Sequence, residues 1–407
     1  MDLQFWSLHK DKDKKAKKTE AKDTPLSLRI ATYTMSAFFT LHFVLPLYVN
    51  SNFLDSIVSE TTTSLIYVIA AILAIATMSI SADMLPKLGN FWSMLIFLVL
   101  EMAAVAILAI PTAPVALLIG AFIAHWILTA VIRFNIDVFL EHFSTDAETG
   151  NIRGSVIALN HVSYIIGPLL AGFILSDDAF WQMYLVSAVL VIPPLVILIK
   201  KFRNFTDPIY ENASLFKSVQ KVWQDVNVRF ALGAMFVLRL FFAWMIVYTP
   251  IYLHKYIGLS FSEIGIIFSI MLVPFVLFGQ PLGRIADEWL GEKELLIGGF
   301  IITAIFTASL SLVTAPSILI WGALLFGTRT GATMIQVMSE GYFFKHVESA
   351  DIHAISVLRM IRPAAYTIAP ILASLMLLVA PFSSIFLGIA GCLILGALIS
   401  LPIVDTR

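Results

Sequence analysis

The chain has 407 residues, of which 59% are hydrophobic and 13% charged, and its formal net charge is −1. Too little polar surface is available to coat a water-soluble domain of this size, so composition excludes a soluble enzyme or binding module and predicts a membrane protein. The one cysteine, Cys392, excludes disulfides and cysteine-based metal sites.

Residues 1–28 form a hydrophilic head containing "KDKDKKAKK", expected to be a disordered cytoplasmic tail. No cleavable signal peptide is expected, because the first apolar span is full length and follows that long polar head. Apolar spans are then predicted at 29–49, 63–82, 91–110, 115–139, 155–176 and 180–200, each long enough to cross about 30 Å of hydrocarbon as a helix. The polar segment 201–228 follows, with Leu215, Phe216, Val219, Val222 and Trp223 at helical spacing, and predicts a cytoplasmic linker carrying an amphipathic surface helix. Six further spans are predicted at 229–252, 262–282, 294–314, 316–338, 353–379 and 382–404, followed by a tail at 405–407. A barrel would need alternating strands, which the pattern lacks. The fold class is therefore an all-α polytopic membrane protein of twelve spans, in two six-helix bundles at 29–200 and 229–404.

Basic residues set the orientation. Outside the spans, which hold Arg133, Arg239, Arg329, Arg359 and Arg362, only Lys255 falls in the loops of one side. The excess on the other side places both termini in the cytoplasm, for a multi-pass protein of the plasma membrane.

The chain also repeats itself. "GPLLAGFIL" (Gly167–Leu175) returns as "APILASLML" (Ala369–Leu377), with Pro168 and Pro370 separated by 370 − 168 = 202 residues. Asp83 and Asp287 each follow the second span of a bundle, and Asp137 and Glu340 each close a fourth. An even number of spans per copy makes the repeats parallel, related by an axis along the membrane normal. Gly154, Ser163, Gly167, Pro168, Ala171 and Gly172 are matched in the second copy by Ser356, Ala365, Ala369, Pro370, Ala373 and Ser374. Small residues four apart share a helix face and let backbones approach, so both runs are expected to form a packing seam that allows the bundles to rock.

The loop "GRIADEWLGEK" (Gly283–Lys293) and its counterpart "SADMLPKLGN" (Ser81–Asn90) resemble the signature between spans two and three of each half in the major facilitator superfamily. The first departs by one extra residue between Asp287 and Gly291, and the second lacks the leading glycine. "GSVIALNHVSYIIGPLLAG" (Gly154–Gly172) is similar to the family's antiporter motif, with Ser163 and Ala171 in place of two glycines, which implies export in exchange for protons. The resemblance implies a central cavity lined by helices one, four, seven and ten.

Depth counting puts His42, Glu101, His125, Arg239 and Arg329 near the midplane, and ionisable groups there are functional candidates. His42, His125, Arg239 and Arg329 lie on the cavity helices and are the expected substrate residues. Glu101, the one mid-depth acid, is expected to carry the proton. Arg133 resembles the basic residue of the family's span-four motif, although the residues that follow are Ile136 and Asp137. An Arg133–Asp137 ion pair along one helix face is the alternative role. Asp83, Lys87, Glu141, Asp287, Lys293 and Glu340 are expected to form inner-gate salt bridges. Arg359 and Arg362 are expected to snorkel to the inner interface. Tyr33, Trp126, Tyr164, Trp244, Tyr248 and Tyr366 offer aromatic surface for a cavity or an interfacial belt.

The expected function is secondary active transport by alternating access, with proton-coupled export of a small molecule as the first reading. Uptake or exchange of a small organic anion, drawn to Arg239 and Arg329, is the second. A membrane-embedded transferase would show acidic metal-binding clusters in a loop, and a transporter-like receptor would bind without counterflow. No "GxxxxGK[ST]" sequence is present to support ATP drive. The chain is expected to be a monomer and not an enzyme, with the lipid bilayer, a solute and protons as partners and with no cofactor, metal or nucleic acid.

Overall fold

The computed structural model describes residues 26–142, 149–175, 179–207, 219–220, 223–346 and 352–403. Most of the basic head, most of the linker helix and the tail lie outside them. The helices are α1 Leu26–Leu47, α2 Asn50–Ile57, α3 Glu60–Leu108, α4 Val115–His142, α5 Thr149–Ile174, α6 Phe180–Lys201, α7 Val226–Ile251, α8 Phe261–Ile285, α9 Glu292–Leu310, α10 Ile318–His346, α11 Ile352–Leu377 and α12 Ile385–Ser400. Helices α7 and α8 run on into π-helical turns at Tyr252–Tyr256 and Ala286–Leu290. Among the described residues, eleven helical stretches are long and apolar enough to cross a membrane, and Leu159–Ile174 is a shorter apolar one, falling on the expected span 155–176.

Caps written in the sequence start several helices. Ser59 accepts from the Thr62 N–H at 3.3 Å to open α3, and Asp225 accepts from Asn227 and Val228 N–H at 2.9 and 3.1 Å to open α7. At α8, Ser260 and Glu263 form a reciprocal capping box.

The spans expected at 63–82 and 91–110 are not separated by a loop. They form one helical run, α3, broken only at Gly89, with φ 75° and ψ 160°. That backbone region is essentially restricted to glycine, so one residue redirects the chain where a loop would otherwise be needed. The Asp207 carboxylate accepts from the next N–H, that of Asn90, at 2.7 Å, and so caps the second part of α3. Gly291, with φ 85° and ψ 166°, holds the same conformation between α8 and α9, 291 − 89 = 202 residues later. Replacing Gly291 with Ala should destabilise the folded protein by about 1–3 kcal/mol through backbone strain. A melting temperature equal to wild type would contradict that.

Packing falls into two sets. In the first, α1 lies on α5 and α6, and α3 lies on α4 and α6. In the second, α7 lies on α11 and α12, and α10 lies on α8 and α9. The sets meet where α5 packs on α8 and α3 on α11, with α2 against α7. Polar contacts tie them at one end: Lys255 Nζ donates to Asp55 at 3.2 Å and to Glu60 at 2.6 Å, and Asn52 Nδ2 donates to the Pro250 carbonyl at 3.3 Å. Deeper, Ser64 and Tyr248 hydroxyls meet at 2.8 Å.

The small-residue run of α5 divides between two neighbours rather than forming a single seam. A Cβ on Gly167 would stand 2.6 Å from Val44 Cγ1 of α1, and Ser163 Oγ donates to the Ala37 carbonyl of α1 at 3.3 Å. Pro168 and Gly172, rotated about 100° per residue from those positions, face α8: a Cβ on Gly265 would lie 2.5 Å from the Pro168 carbonyl oxygen. In α11, Ala365, Ala369 and Ala373 are fully buried, and the Pro370 carbonyl accepts from Tyr248 at 3.4 Å. Gly154 lies in α5, with its surroundings outside the described residues.

Candidate functional site

Two polar constellations stand out among the described residues. The first lies inside the first set, where α1, α3, α4 and α6 each contribute one side chain. His42 Nε2 is 2.8 Å and His125 Nδ1 2.5 Å from the same oxygen, Oε1 of Glu101, and all three side chains are fully buried. Ser187 holds the far side of His42. Its carbonyl oxygen is 2.9 Å and its hydroxyl 2.8 Å from His42 Nδ1, and the hydroxyl also lies 2.9 Å from the His42 carbonyl. Glu101 Oε2 and His125 Nε2 have no hydrogen-bond partner among the described residues.

Counting protons defines what this cluster does. One carboxylate oxygen accepts from both rings when Glu101 is ionised and each ring donates. Ser187 then suits either form of His42. With Nδ1 bare, the hydroxyl donates to it; with Nδ1 protonated, that N–H donates to the Ser187 carbonyl and the hydroxyl turns to the His42 carbonyl. The second form pairs an imidazolium with the carboxylate and leaves the cluster without net charge. The ligand atoms of His42, Glu101 and His125 lie within 4.8 Å of one another. Two of the separations are hydrogen-bond lengths to one oxygen, shorter than the spacing of ligands around a metal, so the geometry is that of proton sharing.

The second constellation lines a cavity of about 330 Å³ between α1, α3, α4 and α5 on one side and α11 on the other. Arg133 donates to the Tyr164 hydroxyl at 3.2 Å and lies 4.1 Å above the Phe43 ring. Arg362 lies 5.9 Å from the same ring and 5.7 Å from the Tyr366 ring. Asn160 Oδ1 accepts from Ser36 at 3.2 Å and from Thr40 at 3.0 Å. Trp126 and Tyr366 close one wall, with ring centroids 5.4 Å apart.

These positions revise several expectations. His42 and His125 do not line the cavity; their sequence neighbours Phe43 and Trp126 do. One residue turns a helix by about 100°, which sends the imidazoles into the core of the first set. Arg362 faces the cavity instead of snorkelling, held against the Phe43 and Tyr366 rings. Arg239 is paired with Glu340 at 3.0 Å, within the second set, so the salt bridge expected of Glu340 forms with a residue that was expected to meet substrate. Arg329 is 2% exposed, lies over Phe241 and Phe242 at 5.0 and 5.2 Å, and is not among the cavity-lining residues.

Arg133 and Asp137 both reach the cavity wall. Of the expected gate, Lys87 is exposed and Lys293 half-buried, whereas the side chains of Asp83, Glu141 and Asp287 lie outside the described residues. Glu292, which the sequence did not single out, pairs with Lys345 at 2.5 Å and ties the start of α9 to the end of α10. Ser187 was also missed, since a lone serine in an apolar span carries no distinguishing signal.

The chain shares its fold with solved transporters. It superposes on an auto-inhibited POT family peptide transporter with TM-score 0.74 at 8% identity, covering 94% of this chain and 98% of that one. On the POT family transporter PepTSo the score is 0.71 at 9% identity, covering 93% and 97%. On a bacterial homologue of the human lysosomal transporter Spinster, captured inward-facing and unoccupied, it is 0.67 at 11% identity, covering 93% and 96%. Among curated protein sequences none gives a significant match. The model of the Major Facilitator Superfamily matches residues 30–339, more than half of the chain, and the protein belongs to that family of membrane transporters.

Proposed function

We propose that the protein is a secondary active transporter that exports a small organic solute in exchange for protons, by alternating access of two parallel six-helix halves, 29–200 and 229–404, joined by the cytoplasmic linker 201–228. The observation that carries this is the cavity itself, walled by helices of both sets and lying beneath the contacts that close one end. Basic-residue placement makes the closed end, with Lys255, the outer one, so this conformation faces inward. The packing pattern supports the repeat, because α1 on α5 and α6 corresponds to α7 on α11 and α12, and α3 on α4 and α6 to α9 on α10 and α12. Exchanging the halves also converts the α5–α8 contact into one between α11 and α3.

Proton coupling is assigned to His42, Glu101 and His125, with Ser187 accommodating either charge state. Arg133 and Asp137, on the same α4 as His125, connect that cluster to the cavity. The family-like small-residue run of α5 supports antiport, and Asp83, Lys87, Glu141, Asp287 and Lys293 remain the proposed inner gate. Purified protein in vesicles with an imposed pH gradient tests this: solute should accumulate by moving opposite to the protons, and an ionophore should abolish it. Movement in the same direction as protons would overturn antiport, and accumulation indifferent to the gradient would overturn coupling.

A further inference from the structure

We propose that the transported solute is a small amphipathic monocarboxylate, gripped by Arg133 from one half and Arg362 from the other, with its apolar body against Phe39, Phe43 and Trp126. This rests on the reading of the cavity as the transport site and names what fills it. The two guanidinium groups converge from separate helices on one ring, at 4.1 and 5.9 Å from the centre of Phe43. Like charges so placed in a low-dielectric cavity repel one another. Their contacts around the cavity are to neutral groups, the Tyr164 hydroxyl and the Phe43 and Tyr366 rings, and Arg133 Nε is buried with no acceptor among the described residues.

Among the residues lining the cavity, Asp137 is the one acid against Arg133 and Arg362, which leaves one positive charge in excess. Asn160 strengthens the bias. Its oxygen is occupied by Ser36 and Thr40, so its NH₂ group adds donors in place of acceptors. A planar carboxylate suits the arginine fork, and a single negative charge matches the excess. At about 330 Å³ the space is at the lower limit of small-molecule sites, enough for a compact metabolite and too small for a lipid. An anion bound to both arginines also draws the halves together, which gives the solute a means of biasing the conformational equilibrium.

The test uses the purified full-length protein and its thermal stabilisation by benzoate, benzamide, benzylamine and phenyl phosphate at matched ionic strength. Benzoate should bind at least tenfold more tightly than benzamide and also more tightly than phenyl phosphate, and benzylamine should give no stabilisation. Arg362→Gln should weaken benzoate binding at least tenfold. Asn160→Asp keeps the acceptor oxygen for Ser36 and Thr40 and adds a negative charge, so it should weaken benzoate tenfold or more and abolish its preference over benzamide. Equal binding of acid and amide, preference for the amine or the phosphate, no binding by any of the four, or benzoate binding unaffected in Asn160→Asp would each overturn the proposal. Gradient-driven flux of some other solute would still stand in that case, so failure of the substrate class is distinguishable from failure of the transport reading.

Discussion

Replacing Glu101 with Gln is expected to abolish pH-gradient-driven transport while leaving solute binding and exchange in place. The amide oxygen of Gln can still accept from His42 and His125, so the helices it joins keep their contacts. What disappears is the negative charge that both imidazoles meet in a fully buried site. Removing one partner of a buried charge pair is costly by several kcal/mol, so gradient-driven accumulation should fall to background. Counterflow of a bound solute should persist, because the cavity residues are untouched. Undiminished accumulation driven by the pH gradient in Glu101→Gln would place the coupling elsewhere, with Asp137 next in line.

The second large effect concerns the contact between α5 and α8. A Cβ on Gly172 would meet the Phe261 carbonyl oxygen at 2.7 Å, and one on Gly265 would meet that of Pro168 at 2.5 Å. Both obstacles are backbone atoms, which no rotamer change relieves. Gly172→Leu or Gly265→Leu should therefore prevent this end from closing and reduce transport to background, while the protein remains inserted and folded in the opposite conformation. Gly167→Leu should behave differently. Its obstacle is Val44 inside the first set, a contact that does not open during rocking, so the expected result is a lower melting temperature in place of a locked conformation. Wild-type transport by folded Gly265→Leu would remove the α5–α8 contact from the transport cycle.

Long apolar stretches made the membrane helices readable, because roughly 20 such residues have few other uses. Depth was readable too, and it placed His42, Glu101 and His125 in one layer. Rotation about each helix axis was not. A difference of one residue separates Phe43 on the cavity wall from His42 in the core, and no hydrophobic stripe marks the distinction in helices that are apolar all round. Arg239 and Glu340 are 101 residues apart and looked like members of different sites, yet a long side chain bridges the depth between them. The signature glycines were legible as a motif, but the sharp one-residue break at Gly89 depends on a positive φ that sequence alone does not distinguish from a short loop. Arg362 illustrates the same limit: nearness to a span edge suggested the interface, and packing against Phe43 and Tyr366 decided otherwise.

The central claim, two halves rocking about the cavity, is tested most directly by distances between spin labels at equivalent exposed positions of the two halves. Thr112 and Thr314, 314 − 112 = 202 residues apart, lie in the loops after α3 and α9. Leu88 and Leu290, separated by 290 − 88 = 202, flank the turns at Gly89 and Gly291, at the other end. On changing pH in membranes, the Thr112–Thr314 distance should lengthen as the Leu88–Leu290 distance shortens, and Glu101→Gln should suppress the pH response of both. Distances that change in the same direction, or that stay fixed under every condition that supports transport, would contradict alternating access by these halves.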